Sequence, residues 1–472
     1  MKSQCKRIII FVVSVFVMLI FSVSLAQEVS PPTILDISEA ELDIDERIER
    51  YRKGPALLHF VDSTGNNLEN INVEIEQTGH DFLFGLNHSF PMWYVLLKKE
   101  LGDEVFDPMV NRKFAKYSLA NDKARLCLDQ FYTFANYTMI PVSWPIYEPK
   151  RDRINYELYD ETLSLMQGKG FACLAHNLVW HHNTPDWVPD DTSGMLKAVE
   201  ERITDFCSYY KHRFDYLLVV NEPAQPFRPT LAGDKLAKLY KNPGQVPFVS
   251  RALEWSRSAY PKGEFMVNEV AVLEKQGFPD LLDKLTDDSG NSLFDVIGIQ
   301  SHMHHRIWPL PAVWDLCDLY ARFDVPIHFT EVTVCSGMPM SGDSRGEETT
   351  PEGEQMQADY VVDFYKLLFS HPAVEAINWW NFSDLWAIKN SPGGLLRKDM
   401  TPKPAFHKLM DLIHHQWQTH LARKTSEDGT CSLRGFYGTY RVSAQGPDRE
   451  KHVFEFELLR DKDNHFTFTL KD

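Results

Sequence analysis

From about residue 80 to residue 416, eight short apolar runs alternate with longer segments of helical period, and this alternation leaves few folds open. The strand candidates are 82–86 (FLFGL), 137–142 (YTMIPV), 171–175 (FACLA), 216–220 (YLLVV), 264–267 (EFMV), 294–299 (FDVIGI), 326–330 (PIHFT) and 374–378 (VEAIN). Helix-like segments follow near 110–131, 156–169, 195–213, 233–259, 277–286, 311–323, 352–369 and 402–416. Runs apolar on both faces, each followed by a helical crossover, predict parallel strands under covering helices. Eight such units predict a (β/α)8 TIM barrel rather than an open doubly wound sheet. No Gly-rich phosphate motif follows the first strand, which argues against a dinucleotide fold.

In this barrel, catalytic groups stand at the C-terminal ends of the strands. Those ends read Asn87-His88, Trp144, His176 with Trp180-His181, Asn221-Glu222, Asn268-Glu269, Gln300 with His302, Glu331, and Trp379-Trp380. A capping role explains any one of them; eight successive polar or aromatic ends predict an active-site mouth. Two carboxylates stand out. Glu222 ends the fourth strand in LLVVNEP and Glu331 the seventh in PIHFTEV. Strands three steps apart on a ring of eight face each other across the mouth. Glycoside cleavage needs that pairing, one carboxylic acid to protonate the leaving oxygen and one carboxylate to attack the anomeric carbon. Glu269 is a rival carboxylate at this stage.

Several motifs carry a resemblance. The Asn221-Glu222-Pro223 and Thr330-Glu331 pairs, AHNLVWHHNTPDWV (175–188), GIQSHMH (298–304) and INWWNFSDLW (377–386) resemble glycoside hydrolase family 10, the retaining endo-β-1,4-xylanases. The likeness covers about residues 80 to 416. It implies Glu222 as general acid/base, Glu331 as nucleophile, and Asn221 on the 2-hydroxyl of the sugar being cleaved. It implies His302 beside the nucleophile with Gln300 nearby, His176 and Trp180 along the glycone side, and Trp380 as a stacking wall. Trp144 and Trp386 complete the sugar-binding set. His181 is open to a supporting or a purely structural role.

The departures from that family are specific. At the end of strand two the family carries Asn and Lys, where Ile140 and Ser143 stand here; the Trp that follows is kept as Trp144. Asn183 replaces a Gln, Val332-Thr333 replaces Leu-Asp after the nucleophile, and Ile388 aligns with a second strand-eight Trp. The implied function is a retaining glycoside hydrolase acting on a β-1,4-linked polysaccharide such as xylan. The alternatives are a hydrolase of another β-linked glycan and a non-catalytic carbohydrate-binding barrel. Eight of the 11 Trp fall at or after strand ends, which fits a sugar site. The polar, Gly-rich stretch 335–355 reads as a solvated connection or as a rim over the groove.

No cofactor is implied and no metal site is predicted, since there is no HExxH, and neither 302–305 nor 414–415 has ligand spacing with a carboxylate. Lys plus Arg number 49 against 66 Asp plus Glu, a net charge of −17, which argues against nucleic acid as a partner. Residues 1–26 read as a signal peptide, with Lys2, Lys6 and Arg7 ahead of an apolar run and small residues before a cut after Ala26. That predicts a secreted or periplasmic protein with no stable membrane insertion after cleavage. The six later Cys lack CxxC spacing, and Cys127, Cys173 and Cys207 read as buried thiols. Residues 27–50 read as a polar leader. Segments 51–79 and 419–472 alternate apolar and polar residues, and each is too small to bury its own sheet. Together they predict one β-sandwich flanking a barrel of 80–418, either a structural support or a carbohydrate-binding module. The sequons at Asn87, Asn136 and Asn381 fall on strand ends and read as internal.

Overall fold

The computed structural model describes residues 43–87, 92, 95, 121–224, 235–270, 272–273, 277–304, 306–337, 348–386, 391–446 and 450–470, with the side chains of 121–125 and 386 left aside. Residues 1–42, which hold the expected signal peptide and most of the expected leader, Trp93, Ile388 and 338–347 of the 335–355 connection fall outside this set. The strands are β1 (Lys53–Val61), β2 (Asn72–His80), β3 (Leu83–Asn87), β4 (Tyr137–Pro141), β5 (Ala172–His176), β6 (Tyr216–Asn221), β7 (Glu264–Glu269), β8 (Val296–Ile299), β9 (His302–Met303), β10 (Ile327–Val334), β11 (Val374–Trp379), β12 (His420–Lys424), β13 (Thr430–Phe436), β14 (Gly438–Gln445), β15 (Lys451–Leu458) and β16 (His465–Thr469).

Eight parallel strands, β3 to β8 with β10 and β11, pair in that order, and β11 pairs with β3 to close the ring. This is a (β/α)8 TIM barrel. The two-residue β9 adds to the far end of β10. Helices at Asn121–Phe134, Tyr156–Gln167, Thr192–Tyr210, Gln245–Ala259, Gly277–Leu282, Leu310–Ala321, Pro351–Ser370 and Pro404–Asp411 cover the outside. Strand residues alternate between two cores. Tyr137, Met139, Leu174, Leu218, Met266, Val296 and Ala376 fill the barrel interior. Ile140, Cys173, Leu217, Val219, Ile297, Phe329 and Ile377 face the helices. Period-2 alternation with both faces apolar is what a covered parallel sheet requires. His328 sits inside the barrel against the rings of Tyr137 and Tyr216, and burial brings its pKa down to about 3, which keeps the ring neutral.

The chain ends form two further sheets. One runs β13-β1-β16 and the other β12-β2-β14-β15. They enclose an apolar core of Leu58, Phe60, Val73, Ile75, Tyr440, Val442, Leu458 and Phe468. A helix, Ile44–Arg52, leads into β1. This β module lies at the base of the barrel, away from the strands' C-terminal ends. Its Phe436, with Trp417, packs on Phe369 at the end of the helix Pro351–Ser370. Arg52 is buried at the same place and donates to the carbonyls of Phe369, His371 and Val374. All six Cys among the described residues are free thiols, five of them buried. The Asn136 side chain is used internally, joining Phe84 N to the carbonyls of His80 and Phe82.

Candidate active site

Glu331 lies on β10 at the barrel mouth and is 3% exposed. Nε2 of His176, the last residue of β5, stands 3.2 Å from its Oε1. Nε2 of His302, on β9, stands 2.9 Å from its Oε2. An ionised carboxylate only accepts, so each ring presents N–H to it. Burial pushes the Glu331 carboxyl up, but the hydrogen bonds from His176 and His302 and their charge outweigh it and hold the pKa down, to about 2. Nδ1 of His302 stands 3.1 Å from the Thr333 hydroxyl, which also reaches the Glu331 carbonyl at 3.2 Å. Thr333 thus stands where the family resemblance has an Asp. Trp380 meets the rings of His176 and His302 edge-on, both at 5.6 Å, and rests on the barrel's inner core.

Glu222 follows β6 with φ +54, a left-handed backbone that costs a non-glycine residue about 1–3 kcal/mol unless its surroundings enforce it. Those surroundings are specific. Glu222 N donates to Asn268 O, Asn221 N to Val179 O, and the Gln245 side chain to Pro223 O. Ala224 N donates to the carboxylate of Glu269, which also accepts from Val270 N. The rival carboxylate therefore braces the backbone that carries Glu222.

Amides join the two candidate catalytic residues. Gln300 donates to Glu222 Oε1 at 3.1 Å and to Asn221 Oδ1 at 3.5 Å. Asn268 donates from one nitrogen to Asn221 Oδ1 and Glu331 Oε1, both at 2.9 Å, and its own oxygen accepts from Thr330 at 2.8 Å. A Cβ on Gly298 would meet that oxygen at 2.6 Å, so the neighbouring strand must carry glycine there. The sequence reading passed over Asn268 as a strand-end residue; its pairing with Glu269 at the mouth was the available signal.

The remaining candidates divide. Trp180 is half-buried beside the His181-His182 pair, with its ring 4.7 Å from His182. His181 is fully buried, which gives it a supporting place rather than an open face for sugar. The donor atoms of His181, His182 and Glu222 all lie within 4.8 Å of one another, the one such metal-capable group among the described residues. Trp144 is only 2% exposed; its indole N–H goes to Glu148 and its ring packs on Trp187. The resemblance implies Trp144 in the sugar-binding set, whereas its ring lies buried in the core. Trp308 and Trp379 are also buried, so clustering at strand ends overstated the aromatic lining of the mouth. Ile140 is core as well, facing the helices. Trp386 ends a short 3-10 turn, Asp384–Trp386, and its side chain lies outside the described set.

A family model described as glycosyl hydrolase family 10 matches residues 132–412. Among curated relatives, the anti-sigma-I factor RsgI6 of Acetivibrio thermocellus is 22% identical over 422 residues, covering 88% of this chain and 48% of that protein. Endo-1,4-beta-xylanase 1 of Arabidopsis thaliana is 20% identical over 409 residues, covering 84% and 37%. Endo-1,4-beta-xylanase B of Thermotoga neapolitana is 22% identical over 287 residues, covering 58% and 79%. The chain thus spans about half of the first relative's length and little more than a third of the second's. Among solved structures, xylanase 10B from Thermotoga petrophila RKU-1 in complex with xylobiose superimposes with a TM-score of 0.55 at 18% identity, over 71% of this chain and 95% of that one. That likeness is one of fold.

Proposed function

The chain belongs to glycosyl hydrolase family 10, and on that premise we propose that it is a retaining glycoside hydrolase cutting a β-1,4-linked polysaccharide such as xylan. The observation that carries this reading is the buried Glu331 carboxylate, held ionised by two histidines and tied through Asn268, Asn221 and Gln300 to Glu222. Glu331 attacks the anomeric carbon while Glu222 protonates the leaving oxygen. Glu222 then takes a proton from the water that releases the glycosyl-enzyme. Asn221 gives its oxygen to the amide network, so its N–H groups are what it offers the sugar's 2-hydroxyl. Trp380 floors the reactive sugar, and Trp180 and His176 line the glycone side. The signal-peptide pattern at residues 1–26 supports export, and no helix among the described residues is long and apolar enough to cross a membrane.

Two observations favour second readings. Ile140 and Ser143 offer no amide or amine where xylanases of the family grip the glycone, which favours a different β-linked glycan. Each unmatched hydroxyl discriminates strongly, because it leaves a buried polar partner unpaired. One relative carries the name of an anti-sigma-I factor rather than that of a hydrolase, and the second such reading is a barrel that binds glycan without turnover. A panel of β-linked polysaccharides and oligosaccharides with product analysis tests all three. Release of β-1,4-xylooligosaccharides supports the main reading. Release only from another β-glycan moves the substrate, and binding without products supports the silent barrel.

A further inference from the structure

His181 and His182 leave β5 side by side, and Glu222 follows β6. The two backbones are joined where Val179 bridges Val220 and Asn221 N donates to Val179 O at 3.0 Å. His181 and His182 stand in the turn two and three residues past that bridge, and Glu222 stands in the bend two residues past it, so the bridge brings the two segments together. His181 is fully buried, Glu222 is 6% exposed, and His182 is half-buried, on the solvent side of the group. The Trp180 ring stands edge-on to the His182 ring at 4.7 Å, and the two histidine rings are 4.4 Å apart.

Two imidazoles and one carboxylate are the donor set of zinc sites that keep one position open, and they suit Zn2+, Ni2+ or Cu2+ over the oxygen-seeking Mg2+ and Ca2+. Ligands about 2.0–2.1 Å from a tetrahedral zinc stand roughly 3.3–3.5 Å apart. The present span of 4.8 Å closes with a turn of His182, the most exposed of the three. We propose that His181, His182 and Glu222 form a binding site for a divalent transition metal, and that the bound ion switches the enzyme off. The off-switch rests on Glu222 being the acid/base: a carboxylate committed to a metal neither gives nor takes the proton that the reaction needs. The metal site itself stands on geometry alone.

The test is calorimetric titration of ZnCl2 into the full chain after removal of metals with EDTA, with turnover of an unactivated β-1,4-linked oligosaccharide, whose poor leaving group needs the general acid, followed in the same buffer. One equivalent should bind, and turnover should fall along the same saturation curve. His182→Gln should weaken zinc at least tenfold and keep its basal turnover. Glu222→Gln, checked for folding by circular dichroism, should weaken zinc to a similar degree. A control at the exposed His415, His415→Gln, should leave the affinity unchanged. Zinc affinity unaltered in both His182→Gln and Glu222→Gln would overturn the site. Zinc bound through His182 and Glu222 with undiminished turnover would keep the site and overturn both the off-switch and the acid/base reading of Glu222. Such binding in a protein with no turnover at all would support the site and overturn the proposed hydrolase.

Discussion

Glu331 is a carboxylate in a dry place that nevertheless keeps its charge, and the reason is two imidazole donors. Its folded pKa lies below the ordinary value, so its ionisation adds stability that is fully present above about pH 4.5 and is lost as pH falls toward about 2. The same sign applies to activity, because kcat/KM follows the free enzyme. His302→Ala removes one donor and leaves burial to push Glu331 up. The acid limb of kcat/KM should therefore move upward by about one unit or more; an unmoved limb would mean that another group sets it. Glu222→Ala should cost about 10²- to 10⁴-fold on substrates with poor leaving groups and far less on activated ones. Azide should restore part of the loss by attacking the glycosyl-enzyme without a base. Equal losses across leaving groups and no rescue would remove Glu222 from the acid/base role. The two carboxylates stood out in the sequence as strand-end residues facing each other across the ring, whereas the parts of Asn221, His176, Gln300 and His302 came only from the family resemblance, because they depend on partners from other strands. Asn268 was not, because its part depends on which way one amide points. The burial of Trp144 was not legible either, because a Trp at a strand end reads the same whether it faces sugar or core.

Strands were legible nearly to the residue, since each is an apolar run bounded by polar ends. β10 runs four residues past its expected end because β9 pairs in parallel with its last two residues, and no local pattern announces that contact. The stretch 233–259 read as one helix and is two pieces, a 3-10 turn at Lys235–Tyr240 and a helix at Gln245–Ala259. Pro243 lacks a donor and Gly244 takes φ +118, which breaks the helix between them. The buried Arg52 lies between elements. It donates to three carbonyls where the helix Pro351–Ser370 ends and β11 begins, so it satisfies acceptors that the helix leaves unpaired. Arg52→Ala leaves the Phe369 and Val374 carbonyls without this donor, while His371 O keeps Val374 N, and should cost about 3–5 kcal/mol of stability, at about 1.5–3 for each hydrogen bond from a charged donor. Urea unfolding monitored by tryptophan fluorescence measures it; a loss below about 1 kcal/mol would show that water or a neighbour takes over.

At the scale of the molecule, a barrel stands on a β module made from both chain ends. β1 pairs with β13 and β16, and β2 with β12 and β14, so neither end forms its sheet alone. The module's place at the barrel base, with Phe436 and Trp417 against Phe369, suits a support better than a second grip on substrate at the mouth. Deleting residues 419–472 should expose that aromatic contact, unpair β1 and β2, and give an insoluble protein or one whose melting temperature falls by many degrees. A truncated chain that melts like the full one would mean that the module is an independent appendage.

The central claim is that Glu331 forms a covalent bond to the sugar. Incubation with activated 2-deoxy-2-fluoro β-xylobioside and β-cellobioside, followed by intact-mass and peptide mass spectrometry, tests it directly. One glycosyl adduct per chain is expected, carried by the β10 peptide at Glu331. An adduct on Glu222 or Glu269 would contradict it, as would turnover of natural substrate with inverted anomeric configuration and no adduct.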